Sequence, residues 1–444
     1  MTAADRRAQT GRAQTGRAQT GTDSGARTQT PTATSASAAL ARVARGNLCA
    51  GCGACAALAP GRVTMAEAAP GFLRPVQTGA LRPDEEATLA AVCPGLGQRV
   101  AAAGRPDSPL WGPYLDMRTG HATDPALRHA GASGGALSAL LVHLLEAGTV
   151  DAVIQTGPDP GRAIANAAAV STDAAGVLAA AGSRYAPSAP LADLPARLAE
   201  HRAGGRRFAF VGKPCDAAAL RAMQARDPEL ARAVPVVVSF FCAGVPSLTG
   251  SAAVLAALGL DEAGTAAFRY RGMGWPGRAT ARARDGREAS MSYAESWGRI
   301  LSKHVQHRCK ICADGTGVAA DVVCADAWEA DAAGYPRFDE APGISLIVAR
   351  TAAGAALVAR AEAAGRIATQ PFDPAGLAAI QPGQRERRRA LLARLAGLRL
   401  AGRPVPRYEG LQLAAAARQN PLGRNLKNFL GMLRRVIRAR GAPS

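Results

Sequence analysis

Nine cysteines are the residues in this sequence best equipped for chemistry. Cys49, Cys52 and Cys55 stand at C-x2-C-x2-C spacing with Gly51 and Gly53 between them. One loop of that length can wrap three irons of a cubane 4Fe-4S cluster, and the glycines let its amides turn toward the sulfurs. Zinc prefers C-x2-C pairs to an unbroken triplet. The next thiolate of a bacterial ferredoxin run would fall just before Pro60, where this chain has Ala59. A distant residue must then close the site, and Cys93, followed by Pro94 at the end of an expected helix, is the candidate. If Cys93 is only a buried apolar side chain, three thiolates remain, for a three-iron cluster or a site with one iron left open.

A second set comprises Cys215, Cys242 and the C-x2-C pair Cys309 and Cys312. Two strand-end thiols and a loop pair make four, enough for another 4Fe-4S cluster and nearly as suitable for zinc. Cys324 is left over, to substitute for one of these or to pack in the core. No run of eighteen apolar residues and no signal-peptide pattern appears, so a cytoplasmic, reducing location is expected, with metal ligation favoured over disulfides.

The elements that must position these thiols alternate. Leu137, Leu140, Leu141, Leu144 and Leu145 recur at helical spacing, predicting a helix from Ser133 to Gly148 with Ser133 as its cap. Strands are expected at Val150–Ile154, Arg207–Val211, Pro235–Phe241 and Ile344–Ala349, with a turn at Gly212–Cys215 and a helix over Asp216–Arg226. In a parallel or mixed sheet of this kind ligands sit at the carboxyl ends of strands, where Cys215 and Cys242 fall. A weak strand at Arg62–Met65, a helix at Pro83–Cys93 and an irregular strand insertion from Phe268 to Ser302 complete the reading.

Of the net charge of +19, residues 1–45 carry +5 and residues 383–444 carry +13, which leaves the central body near neutral. That argues against a nucleic-acid groove through the core. RAQTG occurs three times from Arg7 to Gly21, and residues 1–40 read as a disordered low-complexity tail. Leu422–Arg440 reads as a basic amphipathic helix, suited to an acidic ferredoxin or a peripheral anionic membrane contact.

Taken in order, the motifs resemble the beta subunits of deazaflavin (coenzyme factor 420) hydrogenases and dehydrogenases, with the related 7-hydroxymethyl chlorophyll and divinyl chlorophyllide reductases. The likeness covers roughly residues 47–370. It rests on Cys49–Cys55, Cys93-Pro94-Gly95, Ala132-Ser133-Gly134-Gly135, Gly182-Ser183-Arg184-Tyr185 and Val211-Gly212-Lys213-Pro214-Cys215. Further on come Phe241-Cys242 with Gly244-Val245-Pro246-Ser247, Phe268–Gly272 with Gly274-Trp275-Pro276-Gly277, Arg308–Cys312, Ala320-Asp321 and Ala325-Asp326-Ala327-Trp328. Ala59 and Ala325 depart from the pattern.

The resemblance implies an α/β (α+β) chain: a ferredoxin-like iron–sulfur module at 41–108, a mixed-sheet flavin-binding domain with helices on both faces and a second cluster loop at 109–380, and a basic helical tail at 381–444. It implies FAD beside one or two 4Fe-4S clusters, with Ser133, Gly134, Gly135, Gly182, Ser183, Arg184, Tyr185 and Lys213 near the flavin and the eight cysteines as ligands. Ser133–Gly135 would offer bare amides at a helix start to a pyrophosphate. The implied activity is that of an oxidoreductase acting on a small molecule at a CH or CH2 group, or on a deazaflavin, with ferredoxin or another redox subunit as partner. An electron-transfer subunit, or an accessory redox protein of polysaccharide biosynthesis, is the competing reading.

Overall fold

The computed structural model describes residues 36–328 and 339–440, so the low-complexity tail expected over 1–40 lies outside them up to residue 35. An eight-stranded sheet takes β1 (Asp116–Ala122), β2 (Ala152–Pro158), β3 (Asn166–Ser171), β4 (Phe208–Gly212), β5 (Val236–Phe240), β6 (Val322–Asp326), β7 (Ser345–Ala349) and β8 (Ile367–Pro371). Their spatial order is β8-β1-β7-β6-β5-β4-β2-β3. The central β2, β4, β5 and β6 run parallel, and antiparallel strands flank them on both sides. Gly212 pairs with Ser239, and Ser239 with Val323, so the carboxyl ends of β4, β5 and β6 meet along one edge.

Alternation along the strands feeds two cores. Phe208, Phe210, Val237 and Val323 face one side, packed with Ala217, Leu220 and Met223 of α5 (Pro214–Gln224). Ala209, Val211, Val238 and Val322 face the other, packed with Leu140, Leu141 and Leu144 of α4 (Ala136–Glu146). The mixed sheet with helices on both faces is as expected.

Three local expectations change. The leucine-rich helix starts at Ala136, not Ser133, because Gly134 and Gly135 both take positive φ; a Cβ on Gly135 would lie 2.4 Å from the Leu127 carbonyl oxygen. Ser133 therefore does not cap it, and its hydroxyl donates to the Ala325 carbonyl at 2.8 Å. The second is Cys215, which lies inside α5 instead of in a turn. Pro214 is preset for the first helical position, and the Asp216 carboxylate accepts the Lys213 backbone N–H at 3.0 Å. The insertion after β5 is the third: an ordered antiparallel sheet of Thr265–Arg269, Arg278–Ala283 and Glu288–Ser292, followed by a π-helix over Ala294–Ile300.

N-terminal to the sheet lie α1 (Ala38–Gly46), α2 (Ala54–Leu58), the hairpin Val63–Ala68/Phe72–Gln77 and α3 (Pro83–Val92). Val43 and Leu48 share one apolar cluster with Ile311, with Leu391 and Leu395 of α7 (Pro382–Leu400), and with Met432 of α8 (Leu422–Arg440). Residues far apart in the chain are thus held around one core.

The start of α3 is fixed by buried Glu85, which accepts from the Arg82 backbone N–H at 2.9 Å and pairs with Arg62. Burial alone would raise the Glu85 carboxyl, but the Arg62 and Arg82 bonds hold it below its ordinary 4.5. The folded carboxyl thus releases its proton more readily than the unfolded one, so its stabilisation is complete above that value and fades as pH falls below it. Glu85→Gln is expected to cost about 2 kcal/mol at neutral pH and to flatten the acid limb of stability, which urea titrations at pH 7 and below 4.5 would register.

Candidate functional site

Cys49, Cys52, Cys55 and Cys93 line a single apolar cavity with Val43, Met65 and Leu89. Positive φ at Gly51 and Gly53 turns the chain between the first three thiols, and Cys93 arrives as the C-cap of α3. The Gly51 amide donates to Cys49 Sγ at 3.3 Å, and the amides of Gly95 and Leu96 point at Cys93. Burial pushes every one of these thiols up, Cys55 to about 12 and Cys93 to about 11. Ala59, at 1% exposure, caps α2 away from any ligand role.

The second set also converges. Cys215 lies within electrostatic reach of Cys242 and Cys312, and Cys242 within reach of Cys309 and Cys312. The Val245 amide donates to Cys309 Sγ at 3.4 Å. Burial raises Cys215 well above its usual range and Cys242 to about 12. Cys324 stays apart, in the sheet core with Val238, Val322 and Ile347, its thiol raised by burial alone to about 12.

Between the sets stand Gln306 and Arg308. Gln306 Nε2 lies 3.5 Å from both the Ala50 carbonyl and Cys309 Sγ, and Arg308 Nη2 donates to the Pro94 carbonyl at 2.7 Å. The charge of Arg308 acts on Cys49 and Cys93 of one set and on Cys309 of the other.

Arg308 is 3% exposed, yet among the described residues its Nε and Nη1 have no hydrogen-bond partner. Arg350 and Arg388 are buried within reach of two carboxylates, Asp107 and Asp314, and Asp314 already accepts the amides of Thr316, Gly317 and Val318. Orphaned donors and surplus buried cations are costly unless an anion completes them. A thiolate-ligated iron–sulfur cluster is a net anion, so the residues present fit that group.

Among the described residues no three His, Cys, Asp or Glu side chains gather tightly enough for a single metal ion.

On the sheet's carboxyl edge a cleft is lined by Ser133, Gly135, Gly182, Ser183, Arg184, Tyr185, Lys213, Cys242 and Trp328. All of the expected flavin residues except Gly134 therefore line one cleft, though not all are free to bind. Lys213 spends its ammonium on Asp216 Oδ2 at 2.8 Å, Ser188 Oγ at 2.8 Å and the Ser188 carbonyl. Burial would lower it, but Asp216 holds it above its ordinary value. Arg184 is likewise occupied, donating to Asn166 Oδ1 at 2.6 Å and to the Ala165 carbonyl at 2.9 Å. Gly182 approaches the Arg271 carbonyl so closely that a Cβ would lie 2.6 Å from it. Gly134 is locked by Gly343, whose carbonyl oxygen a Cβ would meet at 2.6 Å.

Sequence reasoning missed the strongest polar pair in the cleft. Arg271, 2% exposed, grips Asp326 through two bonds of 2.8 and 2.7 Å, and Trp275 Nε1 donates to the same carboxylate at 2.9 Å. The guanidinium lies over the Tyr293 and Trp328 rings at 4.7 and 5.1 Å, and Trp328 stacks on Trp275 at 4.9 Å. Trp328 is thus both core and cleft wall. The available signal was an arginine inside the aromatic run Phe268–Gly272 and an aspartate two residues before a tryptophan; neither reveals burial.

Residues 117–194 match the family model for the N-terminal part of the coenzyme F420 hydrogenase/dehydrogenase beta subunit, and residues 205–375 match the model for its C-terminal part. Together the matches span more than half of the chain. Among solved structures, a chain of the F420-reducing NiFe hydrogenase complex from Methanosarcina barkeri superposes with a TM-score of 0.50 at 21% identity, over 64% of this chain and 91% of that one. That likeness is one of fold. No curated protein matches the chain.

Proposed function

This chain belongs to the coenzyme F420 hydrogenase/dehydrogenase beta-subunit family, and from that premise we propose that it is an iron–sulfur flavoprotein oxidoreductase. FAD occupies the cleft, and each thiol set holds a 4Fe-4S cluster. The observation that carries this reading is a shared wall: Cys242 lines the cleft and is also within reach of Cys309 and Cys312. When bound, a flavin trades single electrons with clusters and electron pairs with an organic substrate.

In this reading residues 41–108 carry the first cluster and residues 109–380 the flavin and second cluster. Residues 381–444 close the second set from outside, where Gln384 and Arg387 donate to the Cys242 carbonyl at 3.0 and 2.9 Å. The amides opening α4 hold the pyrophosphate. Tyr185, Tyr293 and Trp328 form a water-excluding wall for a planar ring. Lys213 and Arg184 act as positioning residues, the first fixing Ser188 and the second the Ala163–Asn166 loop. The substrate is an organic molecule changed at a CH or CH2 group, or a deazaflavin, and the electron partner is ferredoxin or another redox subunit.

Anaerobically purified protein is expected to hold iron, acid-labile sulfide and releasable FAD, and to reduce or oxidise one of a panel of deazaflavin, NAD(P)H, ferredoxin and porphyrin-type substrates. Clusters without releasable FAD would assign the chain to electron carriage instead. Arg308→Met is expected to keep both clusters but move their potentials to more negative values, because a buried cation favours the more anionic reduced form. Redox titration followed by electron paramagnetic resonance reads this directly; unchanged potentials would remove Arg308 from the account.

A further inference from the structure

The C-terminal helix α8 carries more apolar surface than the protein covers. At about 100° per residue its apolar arc runs about 160°, from Met432 and Val436 round to Ile437 and Leu430. One edge of that arc packs on α7, where Met432 is buried, Asn428 accepts from Arg394 at 3.1 Å, and Gly397 lets the helices cross closely. The other edge is open: Leu422, Leu426, Leu430 and Ile437 are 87%, 57%, 39% and 59% exposed. Beside this open stripe stand the exposed Lys427 and Arg434. After Glu409 the sequence has seven Lys or Arg and no Asp or Glu.

We propose that the open face of α8 docks on an anionic phospholipid surface, with its leucines and Ile437 at the acyl boundary and Lys427 and Arg434 among the headgroups. An aliphatic stripe with a basic flank, on a helix of low overall hydrophobicity, is the composition of helices that lie in the membrane interface. No described helix is long and apolar enough to cross a membrane, so the contact is peripheral. A second copy is a poor occupant because two such acid-free segments would repel. A protein partner is less well matched, as the stripe has none of the exposed Trp or Tyr anchors that dominate protein interfaces. The inference is independent of the cofactor assignment, since it concerns only α8.

The test is sedimentation of the full chain with vesicles of phosphatidylcholine alone or mixed with phosphatidylglycerol, alongside its mass by light scattering without lipid. Binding is expected only to the anionic vesicles and is expected to fall with added salt. Lys427→Gln with Arg434→Gln should weaken it about tenfold or more. Leu426→Glu with Ile437→Glu should abolish it without altering circular dichroism, because both side chains are exposed. Failure to bind anionic vesicles overturns the proposal. So does a lipid-free dimer that the Leu426 and Ile437 substitutions dissolve, which would assign the face to a second copy.

Discussion

Cys309→Ala is expected to remove one cluster and lower iron and acid-labile sulfide per chain by about half, while Cys324→Ala leaves both unchanged. Cys309 receives the Val245 amide at 3.4 Å and Gln306 Nε2 at 3.5 Å, the contacts that would settle negative charge on its sulfur. Loss of that thiolate leaves a three-thiolate site beside buried Arg308, whose unbonded donors then lack their anion. The fold should therefore weaken as iron is lost. Cys324 makes the opposite case: it packs among Val238, Val322 and Ile347, and burial alone acts on its thiol. Cys52→Ala tests the first set in the same way. Iron and sulfide unchanged in both the Cys52 and Cys309 variants would reject the ligand assignment.

Asp326→Ala is expected to destabilise the chain by about 3–5 kcal/mol, because it strands a guanidinium at 2% exposure among aromatic rings. Burial would lower Arg271, but Asp326 holds it above its ordinary range. The same carboxylate fixes Trp275 Nε1 at 2.9 Å, and with it the Trp275–Trp328 stack. Near-ultraviolet circular dichroism should therefore lose its tryptophan signature before global unfolding. Arg271→Met combined with Asp326→Leu should recover much of the loss, since a buried pair removed whole costs far less than one broken. Denaturant unfolding of the single and double variants measures the difference. A single-variant loss below about 1 kcal/mol would place the pair outside the stability of the cleft.

Side chains that spend their polar atoms locally were hard to judge from sequence. Lys213 and Arg184 fall where expected, lining the cleft, yet each is engaged by its neighbours. Ser133 sits in the right loop, but two positive-φ glycines turn its hydroxyl across to β6 and pass the helix start to Ala136. In each case residue type showed the capacity to bond, and only three-dimensional proximity showed to what.

Short-range pattern was enough to define the periodic elements and the tight thiol triplet. Leu140, Leu141 and Leu144 must share a helix face, and Cys49, Cys52 and Cys55 can hardly avoid one another at that spacing. Only the folded chain joins the distant parts: Cys93 with the triplet, Cys215 and Cys242 with Cys309 and Cys312, Arg271 with Asp326, and Arg308 between the two thiol sets. Local pattern is set by bond geometry within a few residues. Contacts between remote segments, and the burial that gives a charge its energetic weight, depend on how the sheet edge and its covering helices close around them.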